Sequence, residues 1–369
     1  INGSGLVTSG TVDLNSSTGI GNTTGVTLSS SNITADTTTG DIEIASSLGT
    51  AVSVSSLTTG AGAISLAQSG GGDLSTGTVS ASGAVVLSNS AGSISLAGIV
   101  TSVSLDATAS GAITDGSDGD LTITGLAEFT AGNIELGNAA GNATNFGTLT
   151  FNSAGSVTVS EDSSLDLVGT NAAGSADVDS VAGVSDSGAV SVDVTGLLDV
   201  SGTSIALGSG ASVLNVGTLI FSSAGSVTIN EASSLDLVGV NTAGSADLDS
   251  TAGVSDSGAV SVDVAGLLDV SGTAIALGSG TSVFNTGSLT FSSAGSVTIN
   301  EDSSLDLVGV NTANSADVDS VAGVSDSGAV SVDVAGLLDV SGTSIALGSG
   351  TSVFNTGSLT FSSAGSVTI

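Results

Sequence analysis

Apolar and small polar residues alternate along almost the whole chain, in short runs. In GSVTI from Gly225, Val227 and Ile229 share one side, and in SVDV from Ser261, Val262 and Val264 do the same. A period of two is the signature of a half-buried strand, and the runs are rich in Val, Ile and Thr, which suit a pleated surface. Gly, Asn, Asp and Ser separate the runs, and nothing sustains the 3.6-residue period of a helix. Short strands joined by short turns are therefore predicted throughout.

A long repeat organises these strands. Phe151 opens FNSAGSVTVSEDSSLDLVG, Phe221 opens FSSAGSVTINEASSLDLVG, Phe291 opens FSSAGSVTINEDSSLDLVG and Phe361 opens FSSAGSVTI, each 70 residues after the last. The full copies run 151–220, 221–290 and 291–360, and the second and third differ at five positions, among them Ala232 against Asp302. The chain stops nine residues into a fourth copy, as expected of a window on a longer protein. Segment 113–150 is a worn relative of the later part of a copy. Upstream only a smaller unit survives, as GTVDL from Gly10, GDIEI from Gly40, GAISL from Gly62 and GSISL from Gly92. Residues 1–146 are thus read as diverged coils and 147–369 as near-identical copies within one continuous architecture.

Nine strand segments are expected per copy, near Leu219, Val227, Leu235, Asp247, Val254, Val262, Leu268, Ile275 and Val283. Three strands per coil and three coils per 70-residue repeat, about 23 residues each, is the layout of a parallel β-helix, an all-β solenoid. The spacings Gly40 to Gly62 and Gly62 to Gly83 fit it. A β-sandwich array is the alternative, but it asks for longer strands and hairpin signals, and Asn-Gly occurs once, at Asn2. With rungs ~4.8 Å apart, about 16 coils predict a rod ~77 Å long. Phe151, Phe221, Phe291 and Phe361 are expected in its core.

Composition then narrows the chemistry. The chain has 34 Asp+Glu, no Lys, Arg or His, and a formal charge of -34; Pro, Cys, Met, Trp and Tyr are also absent. No side chain can serve as imidazole base, thiolate, ammonium, guanidinium or phenol, which closes most enzyme mechanisms. Phosphate recognition by Lys or Arg is closed too, so no nucleic acid partner is expected. A hydrophobic fraction of 40% supports a core and argues against disorder. No run approaches the length of a membrane span, and no signal peptide is visible. Spread along the expected rod, the carboxylates lie about 2.3 Å apart on the axis, against ~1.7 Å per charge in duplex DNA. Association of such rods is expected to depend on divalent cations.

The units GDIEIAS, GAISLAQ and GSISLAG, and the block FGTLTFNSAGSVTVSEDSS from Phe146, resemble the β-strand repeats of filamentous-haemagglutinin-like bacterial surface proteins. The resemblance covers essentially the whole chain. It implies a right-handed parallel β-helix exported to the cell surface, a structural segment of a long extracellular filament, sheath or stalk that self-associates into filaments or bundles. The alternative it leaves open is an adhesin shaft that binds glycans or divalent cations through an Asp-bearing face.

Any site must be built from carboxylates, hydroxyls, amides and backbone. Asp177 and Asp179 form an Asp-x-Asp that recurs as Asp247 and Asp249, then Asp317 and Asp319. In a strand both point to one side, an oxygen cluster that suits Ca2+, with Asp186, Asp193 or Asp199 of an adjacent strand completing the shell. The competing reading is a solvated surface that keeps strand edges unpaired. GGGDLSTG from Gly70 is a single echo of the Gly-rich calcium-binding nonapeptide. Glu161 with Asp162, or Glu301 with Asp302, has the residue types of a glycosidase pair. Glu231 is followed by Ala232, however, and a catalytic pair repeated down a shaft is not expected, so the chain reads as no enzyme. Threonines at Thr37 and Asn22-Thr23-Thr24 are too isolated for an ice-binding ladder, and the sequons at Asn2, Asn15, Asn22, Asn32 and Asn142 fit chance in such a composition.

Overall fold

A computed structural model describes residues 1–369. It holds 39 strands and no helix, and the chain divides into two compact units, residues 1–182 and 183–369. In both, strands pair in parallel with the strand one coil further on, so each unit is a parallel β-solenoid.

The first unit stacks its inward residues on three faces. One runs Ile42, Ile64, Val85, Leu105, Ala127, Leu149. The second runs Val52, Leu74, Ile94, Ile113, Ile134, Val157. The third runs Leu57, Val79, Val100, Leu121, Thr144. All of these are 0–1% exposed. Three strands per coil is therefore as expected. Parallel ladders leave no backbone donor or acceptor to be met by side chains along the strands, so the interior can be apolar. The exceptions lie where a strand ends. Ser46, Gln68 and Asn89 form a buried polar row, in which Gln68 Nε2 donates to Leu48 O (2.7 Å) and Asn89 Nδ2 to Gly72 O and Ser93 O (3.0 and 2.9 Å). Phe129 lies under Phe151 on the next rung, and its ring centroid is 5.7 Å from that of Phe146.

The second unit corrects the expectation of three coils per repeat. Val227 stacks on Ala246, Ala246 on Leu268 and Leu268 on Leu289. Three rungs thus carry the chain from 227 to 289, eight residues short of Val297, the equivalent of Val227 in the next copy. Val297 stacks instead on Ile275, on a different face. Two local events cause the shift. The face carrying Val240–Ala243, Ser261–Val264 and Val283–Thr286 comes to an end. The adjoining face divides, because Leu289 is covered by Leu307 of one short strand and Ser292 by Thr312 of another.

A buried asparagine makes the division feasible. The chain puckers at Val308 and Gly309, and the Phe291 N–H, which faces no strand there, donates to Asn311 Oδ1 (3.0 Å). Asn311 Nδ2 donates back to Val308 O (2.9 Å), and Asn311 is fully buried. Asn171 and Asn241 do the same for Phe151 and Phe221. Phe151, Phe221 and Phe291 are fully buried as expected, whereas Phe361, in the last coil, is 48% exposed.

Candidate functional site

The Glu-Asp pairs sit where a face ends, and geometry assigns them to the backbone. A strand without a successor leaves its N–H groups to be met by something else. Glu301 Oε1 accepts from Thr286 N (2.9 Å) and Asp302 Oδ2 from Phe284 N (2.9 Å). In the first copy Glu161 Oε1 accepts from Phe146 N (2.9 Å) and Asp162 Oδ2 from Thr144 N (2.8 Å). Glu231 Oε1 accepts from Val216 N (3.2 Å), while Ala232 offers Leu214 no side-chain acceptor. The serine two residues on, Ser163, Ser233 or Ser303, donates its hydroxyl to the same Oε1 at 2.6–2.8 Å.

These three glutamates are 1–2% exposed, and in each the second oxygen, Oε2, is buried without a hydrogen-bond partner. Burial pushes all three carboxyls up, Glu161 to about 7, against the lowering pull of the serine and backbone donors. A shallow groove opens beside each of the later two. Glu301, Asp302, Asp319, Ser320, Val321 and Ser341 line about 440 Å³, and the equivalent Glu231, Ala232, Asp249, Ser250, Thr251 and Ser271 line about 290 Å³. Two of the five differences between these copies, 232/302 and 251/321, fall in this groove.

The Asp-x-Asp residues lie on outward positions. Asp247 faces Thr228 on one side and Asp269 on the other; Asp249 faces Asn230 and Ser271, whose hydroxyl donates to Asp249 Oδ1. Asp317 and Asp319 repeat this with Asp339 and Ser341. In the first unit Asp177 and Asp179 face Thr158 and Ser160. Desolvation first, and neighbouring carboxylates second, push Asp177, Asp247, Asp269 and Asp317 up. Within the second unit, Asp269 comes beside Asp247 of the Asp-x-Asp. Asp186 and Asp193, expected to complete a cation shell, have other partners. Asp186 Oδ2 accepts from Gly208 N (2.8 Å), and Asp193 Oδ1 from Asn215 Nδ2 (3.2 Å). No three carboxylates converge closely enough to hold a metal ion.

Asp186, Asp256 and Asp326 are 7–9% exposed and tie down a turn; Asp256 Oδ2 accepts from Gly278 N (3.0 Å). That turn needs glycine. Gly208 and Gly278 have φ near +78°, and a Cβ on either would lie 2.0 Å from the carbonyl oxygen of Asn230 or Asn300. The sequence signal for this buried set was a Val-Ser-Asp run in which the Asp occupies the inward phase of the alternation.

Residues 82–150 match a family described as repeats of unknown function, DUF5649. No curated protein and no solved structure matches the chain. The match and the fold agree that this is a repeat-built β-solenoid.

Proposed function

We propose that the chain is a structural segment of a long extracellular filament, sheath or stalk, of the filamentous-haemagglutinin-like kind, and that it works mechanically, not as a catalyst. The observation that carries this is the use made of its polar groups. The carboxylates with catalytic residue types cap the backbone where a face ends, the buried asparagines bridge a divided ladder, Asp186 and Asp256 tie down a glycine turn, and the Asp-x-Asp side chains face outward along the strands. Near-identical copies then add rungs without adding a reactive centre, the property that lets a solenoid grow by repetition. No helix is long and apolar enough to cross a membrane.

The adhesin alternative asks for one Asp-bearing face. In the second unit Asp247 and Asp269 lie on the face of Leu268 and Leu289, whereas Asp317 and Asp339 lie on that of Val297 and Leu338. That placement favours the structural reading. Immunogold labelling with an antibody to the repeats, on intact producing cells, should decorate surface filaments. Label that appears only after permeabilisation would overturn the proposal.

A further inference from the structure

Three glutamates in this chain are buried at places where a strand face closes, and no cation exists anywhere in the sequence to neutralise them. A buried, unpaired carboxylate is costly, and such a group takes up a proton in preference to remaining charged. The neighbours reinforce this. Beside Glu301 is Asp302 on its own segment; the strand Ser315–Ser320 above sets Ser320 opposite Glu301 and turns its Asp317 and Asp319 outward, and the strands Ala274–Leu277 below and Val283–Ser293 beside it carry no titratable side chain. Glu231 lies opposite Ser250, the strand Ser245–Ser250 turns its Asp247 and Asp249 outward, and Ser204–Leu207 and Val213–Ser223 carry no titratable side chain. Glu161 lies beside Asp162 and opposite Ser180; Asp177 and Asp179 on the strand above and Glu135 on the strand below are turned outward, and Thr144–Ser153 carries no titratable side chain. The titratable neighbours are therefore all acids, and no basic side chain faces any of the three.

The same carboxyl closes the end of a face. Its Oε1 holds the N–H of Phe146, Val216 or Thr286, and its Oε2 has no donor to satisfy a second negative oxygen. We propose that Glu161, Glu231 and Glu301 form a set of proton-operated latches: neutral, each holds its face end closed; ionised, each must be exposed to water, which opens that end. The solenoid therefore stiffens in mild acid and loosens at these corners as the pH rises toward neutrality. The upward displacement of all three carboxyls supports the direction. A group whose folded value is raised binds its proton more tightly closed than open. Closed-state stability then falls as pH rises from the open value to the closed one, and levels off above it. For Glu161 that window runs from 4.5 to about 7.

The chain has six glutamates, and Glu43, Glu128 and Glu135 are exposed, so carbon-labelled glutamate gives three surface resonances and three buried ones in one spectrum. Following the side-chain carboxyl carbons of the unmodified chain through pH 3–9 should show three midpoints displaced toward neutrality, assigned by Glu161→Gln, Glu231→Gln and Glu301→Gln. Hydrogen exchange of the Phe146 amide, corrected for its intrinsic pH dependence, should lose protection roughly 100-fold between about pH 5 and pH 7. Glu161→Gln, a neutral isostere that keeps the acceptor, should abolish that dependence. Six midpoints in one cluster would overturn the proposal. So would a Phe146 protection profile that the Gln variant leaves unchanged.

Discussion

Removing the buried amide of Asn311 tests the divided ladder directly. Asn311→Ala would leave the Phe291 N–H and the Val308 C=O without the partners they now have at 3.0 and 2.9 Å. Each buried group stripped of its partner costs about 1–3 kcal/mol, so the pair amounts to about 2–5 kcal/mol with partial relief from water. At 1.36 kcal/mol per tenfold, local opening at this corner should rise roughly 30- to 5,000-fold. Global melting is a poor probe, because repeat arrays open piecemeal. Amide hydrogen exchange read by mass spectrometry or NMR is a better one, and the chain carries its own control. Phe221, held by an intact Asn241 in the preceding copy, should keep its protection while Phe291 loses it. Asn311→Asp adds a sign. Its carboxylate can accept from Phe291 but cannot donate to Val308 O, so protection should return in acid, when the proton restores a donor. If the Phe291 amide of the Ala variant exchanges as slowly as that of Phe221, the asparagine is not what allows one strand to be covered by two.

The remaining predictions concern the acids. Ala232→Asp should give Leu214 the acceptor that Asp302 gives Phe284, slowing exchange of the Leu214 amide by about 1 kcal/mol, or roughly fivefold. Asp317 is raised by desolvation, then by Asp319 and Asp339, so its contribution to stability is lost as pH rises above the ordinary Asp value of 3.8. Asp339→Asn should therefore flatten that loss and stabilise the chain at pH 7 by about 0.5 kcal/mol, read as a higher denaturation midpoint; an unchanged pH profile would count against it. Finally, with a charge of -34 and no basic residue, lateral association should need divalent cations. Light scattering that is indifferent to chelator and to salt would rule this out.

The solenoid was legible because its core obeys a period of two, and a run such as Val227, Thr228, Ile229 declares its inward side. The count of strands was not, and one strand explains the shortfall. Val240–Ala243 has its Val exposed, at 62%, and its Asn buried, which reverses the rule that apolar means inside. A reader of alternation passes over it, finds nine segments, and divides them into three complete coils. The glutamates misled in the opposite way. A Glu-Asp pair beside a serine run has the look of surface chemistry, yet Glu301 ends a strand on its inward phase and serves as a cap. Asp-x-Asp residues were placed correctly on one side of a strand, because i and i+2 share a side in any pleat. Which adjacent strand they would meet depended on rung lengths, and the rungs vary from 18 residues, Leu289 to Leu307, to 23, Leu121 to Thr144.

That variation has a consequence for how the charge is displayed. Had each copy filled a whole number of coils, Asp247 and Asp317 would stand in one line, and the acidic clusters would form a stripe that a flat lattice or a single extended partner could read. Because one face ends and another divides in every copy, the cluster of Asp247, Asp249 and Asp269 and that of Asp317, Asp319 and Asp339 are turned onto different faces of the second unit. A partner recognising one would have to cross an edge to reach the next, and would forfeit the gain that repeated, aligned sites confer. Mobile cations face no such restriction, since they respond to the summed field of the carboxylates and not to their alignment. The offset between sequence period and coil therefore argues for a surface whose acidic clusters act through diffuse charge and not as one aligned stripe.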